Sequence, residues 1–405
     1  MKILCVNQYY WPDVAATGQL LQDLAEDLAA AGHKVTVLCG QSSYTPGGAR
    51  TPARETHNRV NIIRCQGTRF GKRHVAGRLA DYITFYFSVV WAMFMAPRPD
   101  VLFVESTPPL IVVGGALVSK LRRLPLVHII QDLYPEVAEA LGALRPGGIL
   151  AGVLRRLHRR ALRHCSAVVV LGRDMTRRVQ DSYGLLPECL KVIPNWADVD
   201  ALAVPADDVA ALRAKWGVQG RKVVMYSGNL GRAHTFDEVL AVAERWKNRK
   251  DTIFLCIGAG QAWDQVKKQV LERGLDNVVL KPYQDRTSLG VSLSIGDVHL
   301  ITQKPETLGL IVPSKLYGVM AVGRPVVYVG PKESEVALTL KDCKAGLTVA
   351  PGDVDGLERA LAAYLDNPDM ASSAGMAGRA YAKREFSRQV VTARYEALFN
   401  SIASA

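Results

Sequence analysis

Residues 304–329 read KPETLGLIVPSKLYGVMAVGRPVVYV. Pro313-Ser314 marks a helix start, with Ser314 able to cap and Lys315 in the first turn. Leu316, Val319 and Met320 then share one helical face. Gly323 ends the helix and Pro325 prevents its continuation. Val326–Val329 follows as a short, wholly apolar strand of the kind buried in a parallel sheet. A helix followed by such a strand is half of an α/β unit. Its N-terminus exposes unpaired N–H groups, and Lys315 adds a full charge there, so two readings fit: an anion site, or a capped crossover helix packed on a sheet.

The alternation continues outward on both sides. Lys2–Val6 predicts a strand, residues 19–31 a helix with Leu20, Leu21, Leu24 and Leu28 on one face, and Val35–Leu38 a second strand. The first turn of this βαβ unit lacks Gly-x-Gly-x-x-Gly, which argues against a dinucleotide site. Residues 41–59 read as a surface loop. Strands are expected at Val60–Cys65, Val101–Glu105, Leu126–Ile130 and Ala167–Val170, with Pro109 in a first helical turn. The strand at 126–130 runs into Gln131-Asp132-Leu133-Tyr134-Pro135-Glu136. Polar residues at the end of a parallel strand face the ligand crevice. Asp132 leads these candidates, with Glu136 and Glu105 behind it; capping of the next helix is the alternative for Asp132. A second series begins at Lys222, with strands at Val223–Ser227, Ile253–Ile257, Val278–Leu280 and Asp297–Ile301. In Gly228-Asn229-Leu230-Gly231-Arg232 the glycines let backbone N–H groups approach an anion and Arg232 adds charge; an ordinary tight turn is the alternative. Gly258-Ala259-Gly260 is a weak glycine pattern, because Trp263 stands where a third glycine belongs.

A chain of 405 residues with ordinary apolar content has room for two cores. Seven scattered cysteines with no Cys-x-x-Cys spacing argue against a disulfide frame or zinc site and for a reducing compartment. The N-terminus enters a strand at once, so no signal peptide is expected. The net charge of +12 is uneven: residues 1–195 hold 24 Lys+Arg and 14 Asp+Glu, residues 196–405 hold 26 and 24. A basic first half points to an anionic membrane surface or anionic acceptor. No nucleic-acid-binding pattern accompanies it. Tyr82–Ala96 is apolar for about 15 residues, short of a spanning helix, and follows Arg69, Lys72, Arg73, His74 and Arg78. It reads as a buried crossover helix, or as one whose face lies in the membrane interface.

Glu306-x-x-Gly309-Leu310, a helix, then Gly323-Arg324-Pro325 resembles the donor-site motif of the GT4 retaining glycosyltransferases. Pro313-Ser314-Lys315-Leu316-Tyr317 is similar to the WbuB-like branch, which builds bacterial surface polysaccharides. The Tyr9-Tyr10-Trp11-Pro12-Asp13 loop through Gly18 resembles the family's first glycine loop, and Pro194-Asn195-x-x-Asp198 its domain junction. The resemblance covers nearly the whole chain. It implies an α/β chain of the GT-B fold, two Rossmann-like domains facing a central cleft: residues 1–197 on the acceptor side, residues 198–384 binding the donor, and a helix of about 385–405 crossing back onto the first. It implies retaining transfer of a hexosyl or N-acetylhexosaminyl group from a UDP-sugar, with a GDP-sugar second, to a polyprenyl diphosphate-linked saccharide. No metal or other cofactor is implied, and the place is the cytoplasmic face of the inner membrane, peripherally bound. The expected catalytic residues are Asp132, Glu306, Arg232 and Lys315. The expected donor-binding residues are Gly18, Gly228, Asn229, Tyr283, Gly309, Leu310 and Ser314. The sequence departs from the family where a second glutamate, eight places beyond Glu306, is Ser314, and where Asn229 and His234 replace an arginine and a lysine. A non-hydrolysing nucleotide-sugar 2-epimerase, or a non-catalytic nucleotide-sugar-binding partner of an assembly complex, are the rival classes.

Overall fold

The computed structural model describes residues 1–41, 51–68 and 75–404, without the side chains of Val75, Ala76, Arg78 and Leu79. Arg69, Lys72, Arg73 and His74 of the basic cluster and residues 42–50 of the expected loop lie outside the described residues, as does the side chain of Arg78. The chain divides into two compact units. The first comprises Met1–Pro194 and the segment from Val391 onward; the second is Asn195–Val390.

The first unit carries β1 (Lys2–Val6), β2 (Lys34–Gly40), β3 (Arg54–His57), β4 (Val60–Cys65), β5 (Val101–Val104), β6 (Leu126–Ile130), β7 (Ala167–Val170) and β8 (Leu190–Val192). They form one sheet in the order β3-β4-β2-β1-β5-β6-β7-β8. Every neighbouring pair is parallel except β3 with β4. Its helices are α1 (Ala16–Ala30), α2 (Val75–Met95), α3 (Ile111–Arg122), α4 (Glu136–Ala140), α5 (Ile149–Leu162) and α6 (Arg173–Tyr183). Because β1, β5, β6 and β7 are covered on both faces, they read as unbroken apolar runs and are buried. Two expectations are corrected here. Residues 54–57, read as loop, pair antiparallel with β4 through a turn at Asn58 and Arg59, both at positive φ; the polar strand carries no apolar alternation to announce it. Pro109 is not in a helical turn, because α3 begins at Ile111 after Leu110 in the left-handed region.

The second unit holds β9 (Lys222–Ser227), β10 (Thr252–Ile257), β11 (Val278–Lys281), β12 (Val298–Thr302), β13 (Val326–Val329) and β14 (Gly346–Val349), ordered β11-β10-β9-β12-β13-β14 and all parallel. The helices are α7 (Ala206–Lys215), α8 (Asp237–Arg245), α9 (Trp263–Glu272), α10 (Leu289–Ser294), α11 (Lys315–Ala321), α12 (Glu335–Cys343), α13 (Val354–Leu365), α14 (Pro368–Glu385) and α15 (Arg388–Ala403). Leu316, Val319 and Met320 of α11 are buried against Ile301, Val326 and Tyr328, and Gly323 ends the segment at φ +70°. From Val391 the last helix belongs to the first unit. There Tyr395 and Phe399, both fully buried, meet the edge of Phe103 on β5 at 5.8 and 5.4 Å between ring centres. His33, at the entry to β2, bonds Glu396 of the same helix at 2.9 Å.

Candidate functional site

The strand order of the second sheet reverses at β9 and β12, and segments leaving their C-terminal ends meet there. Gly228 leaves β9 at φ +135°, a course open to glycine. A Cβ added to Gly258 (φ +148°) would fall 2.1 Å from Gly228 O, and one on Gly260 2.3 Å from Leu230 O. The two turns are pressed backbone to backbone. Gly228 N–H donates to Ile257 O (2.9 Å) and Leu230 N–H to Ala259 O (2.8 Å). Gly258 and Gly260, which read as an incomplete nucleotide motif, serve this close approach.

Lys315 opens α11, and its alkyl stem crosses Gly228: a Cβ there would lie 2.7 Å from Lys315 Cε. Its Nζ sits 4.9 Å from the centre of the Tyr226 ring, donates to Asn229 O at 3.3 Å and stands 3.2 Å from His234 Nε2. His234 Nδ1 donates to Thr302 O at 2.5 Å. That bond sets the tautomer: Nδ1 carries the proton and Nε2 accepts from the ammonium. Burial, and next the charge of Lys315, lower His234 to about 3, so the ring is neutral. Burial lowers Lys315 itself to about 7, although its side chain keeps partial access to solvent. Sequence reasoning passed over His234 as a site residue; it lies 81 positions from Lys315, beyond any local pattern.

The segment after β12 is braced by a second residue that sequence reading missed. Gln303, fully buried, donates from Nε2 to Thr307 O (3.2 Å) and accepts at Oε1 from Tyr328 O–H (2.7 Å). The turn it holds exposes Glu306 and buries Gly309 (φ +70°) and Leu310. Ser314 is exposed, and its expected cap is corrected: its own backbone is helical (φ −66°, ψ −14°) and it makes no side-chain cap, since a capping side chain needs extended backbone. Gly228, Asn229, Lys315 and His234 therefore form one cluster. Arg232 is exposed on the turn from Gly228 to His234. Tyr283 is exposed beyond the edge strand β11, two strands from β9.

In the first unit Gly18 is not in the loop but in the first turn of α1, where a Cβ would come within 3.1 Å of the Tyr9 backbone. Asp132 follows β6, half-buried, and burial raises its carboxyl to about 6. It does not cap α4, whose N-cap is Pro135 without a side-chain bond. Glu105, at the end of β5, is 3% exposed, raised well above the usual carboxylate range by burial, and its Oε2 has no partner. Asn7, at the end of β1, is likewise buried with both amide atoms unpaired. These orphaned atoms lie where the first sheet reverses its order, between β1 and β5. Glu136 is committed elsewhere: it accepts from Arg155 Nε (2.8 Å) and from the hydroxyl of Tyr183 (2.8 Å). Among the described residues no three His, Cys, Asp or Glu side chains are grouped as a metal site would need.

The Glycosyl transferase 4-like domain matches residues 16–196, and the Glycosyl transferases group 1 model matches residues 208–381. WcaI of Escherichia coli K12, described as a colanic acid biosynthesis glycosyl transferase, is 27% identical over 98% of this chain and 98% of its own. The glycosyltransferase WbjE of Pseudomonas aeruginosa is 30% identical over 66% of each chain. Among solved structures, Anabaena Alr3699/HepE in complex with UDP superposes with a TM-score of 0.75 at 17% identity, over 99% of this chain and 100% of that one. WaaG, a glycosyltransferase involved in lipopolysaccharide biosynthesis, gives a TM-score of 0.71 at 15% identity over the full length of both.

Proposed function

Because the chain belongs to the GT4 glycosyltransferases, with the GT-B fold, we propose that it moves a sugar from a nucleoside diphosphate sugar to a lipid-linked saccharide during surface polysaccharide synthesis. A UDP-sugar is favoured: the HepE neighbour was solved with UDP and with UDP-glucose. The acceptor is a polyprenyl diphosphate-linked saccharide, the anomeric configuration is retained, and no metal is required. The observation that carries this reading is the Lys315 ammonium, held over the Gly228–Asn229 turn at the point where the second sheet reverses.

In the reaction the bond from the anomeric carbon to the diphosphate oxygen breaks and a bond to the acceptor oxygen forms. The acceptor's proton passes to the leaving phosphate, which gains the bonding pair. Lys315 and Arg232 stabilise the charge that grows there. Because α11 has only seven residues, these side chains matter more than its dipole. Glu306 binds sugar hydroxyls and faces the positive charge at the anomeric carbon. Asp132 serves the acceptor.

A thermal-shift panel of UDP, GDP, dTDP and NAD tests the donor class. At a hundredfold excess over Kd a ligand adds about 2.7 kcal/mol, which is several degrees for domains of this size. UDP is expected to shift the transition most and NAD not at all. No shift with any nucleoside diphosphate would overturn the reading, and consumption of donor without acceptor would mark the 2-epimerase.

Lys315 supplies a pH signature. Free, it loses its proton near pH 7; a bound diphosphate raises that value. UDP binding above pH 7 therefore takes up a proton, and affinity falls as pH rises, by at most about tenfold per unit. The sign for stability is opposite. The unfolded chain keeps this proton up to the ordinary lysine value of 10.5, so without ligand stability rises with pH between the two values. Calorimetry at pH 8 in buffers of different ionisation enthalpy is expected to show proton uptake in the wild type and none in Lys315→Met; equal uptake in both would refute the assignment.

A further inference from the structure

Three helices of the first unit leave apolar side chains in water that the core does not claim. On α2, Ile83, Phe87, Trp91 and Met95 recur every fourth residue, with Phe87 72% and Trp91 64% exposed, while Phe85, Val89 and Met93 bury the opposite face. On α3, Leu117 and Leu121 are exposed. On α5, Ile149 (91% exposed), Leu150, Val153 and Leu157 lie outward, while Ala151, His158, Ala161 and Leu162 face the unit. α2 packs on α3 and α3 on α5, so the three outer faces lie side by side. Apolar surface on this scale marks an interaction site.

The charges say what covers it. α3 and α5 together hold Lys120, Arg122, Arg155, Arg156, Arg159 and Arg160 and no acidic residue. Arg155 is tied to Glu136 and Glu139, but Arg156 and Arg160 are exposed and form no ion pair among the described residues. Beyond the last turns of α2 and α3, Arg98 donates to the carbonyls of Arg122 and Arg123 and draws these bases together. Long basic side chains beside exposed Trp, Phe and Leu are the composition of an element lying in a lipid interface. A second copy on the same patch would set these bases against one another. Among the described residues no helix is long and apolar enough to cross a membrane.

We propose that the outer faces of α2, α3 and α5 form a docking surface for an anionic lipid bilayer, with Phe87, Trp91, Ile149 and Leu150 entering the interface and Arg156 and Arg160 on the headgroups. This deepens the function proposed above, whose acceptor is lipid-linked. It also orients the unit. α5 lies on the crossover from β6 to the parallel strand β7, which leaves from the edge where β6 ends, and Arg155 holds α5 to α4 just beyond that edge. The bilayer at Ile149 and Leu150 therefore lies toward the edge that carries Asp132, where a lipid-linked saccharide would be presented.

Flotation of the full chain with vesicles of phosphatidylcholine, alone or with phosphatidylglycerol, tests the surface. The wild type is expected to float with the anionic vesicles, less so at high salt. Phe87→Ser/Trp91→Ser and Arg156→Glu/Arg160→Glu are each expected to lower partitioning by roughly tenfold or more. The proposal is overturned if the wild type does not float, if both double variants float equally well, or if the apolar pair instead abolishes self-association with no vesicle binding. The UDP-induced thermal shift, measured on the same preparations, reports on the other unit. Far-UV circular dichroism spectra and urea midpoints equal to the wild type's show that the variants keep the first unit folded. Vesicle binding without any UDP shift would sink the proposed reaction and leave the surface standing.

Discussion

Lys315→Ala is expected to lower kcat/KM by about 10²–10³-fold, the usual loss when one preorganised group at a developing charge is removed. The geometry argues for the upper part of that range. The ammonium is held on three sides, by Asn229 O, His234 Nε2 and the Tyr226 ring, so it reorganises little when charge appears. The fold is expected to survive, because α11 is anchored by Leu316, Val319 and Met320 rather than by its first residue. Losing a desolvated charge also removes a burial cost. Lys315→Met, which keeps the stem over Gly228, separates charge from packing and is expected to lose the same rate. Arg232→Ala falls in the same direction, and less, because Arg232 is exposed. Steady-state rates with donor and lipid-linked acceptor, beside urea unfolding, decide the matter. Wild-type rates in both alanine variants would end the assignment.

The second large effect belongs to a residue without functional groups. Gly258→Ala puts a Cβ 2.1 Å from Gly228 O at φ +148°. The backbone strain alone is of order 1–3 kcal/mol, and relief of the clash must push the 228–230 turn away from β10. That turn carries Asn229 O, which receives both Lys315 Nζ and the Tyr226 hydroxyl. A fall in the urea midpoint and loss of the UDP-induced thermal shift are therefore expected together. A variant that loses stability yet keeps its full response to UDP would show that the turn does not shape the donor site.

These two residues also show what a sequence can convey. The α/β class was legible because buried parallel strands such as Val326–Val329 and Ala167–Val170 are plain apolar runs, and because Gly323 and Pro325 close a helix by local sterics. Local rules lose their hold where two distant segments meet. The spacing of Gly258 and Gly260 looks like a failed fingerprint until the 228–230 turn is laid against it. The triad of Lys315, His234 and Thr302 joins three segments and leaves no periodic trace. Ser314 has the right residue type for a cap and the wrong backbone for one. Glu136 reads as a crevice carboxylate like Asp132, but Arg155 and Tyr183, contributed by later helices, claim it. The strand Arg54–His57 is polar, so only its partner β4 reveals it.

The return of Tyr395 and Phe399 to the flank of Phe103 has a consequence for biogenesis. The first unit begins to emerge from the ribosome first, yet its core is sealed by side chains made after the whole second unit. The second unit is continuous in sequence and can close on its own during synthesis. The first waits with β5 uncovered on one face for nearly three hundred further residues to be added. A nascent chain halted between β5 and residue 395 therefore leaves an apolar sheet face open to solvent, and of the two units the one begun first is the one closed last.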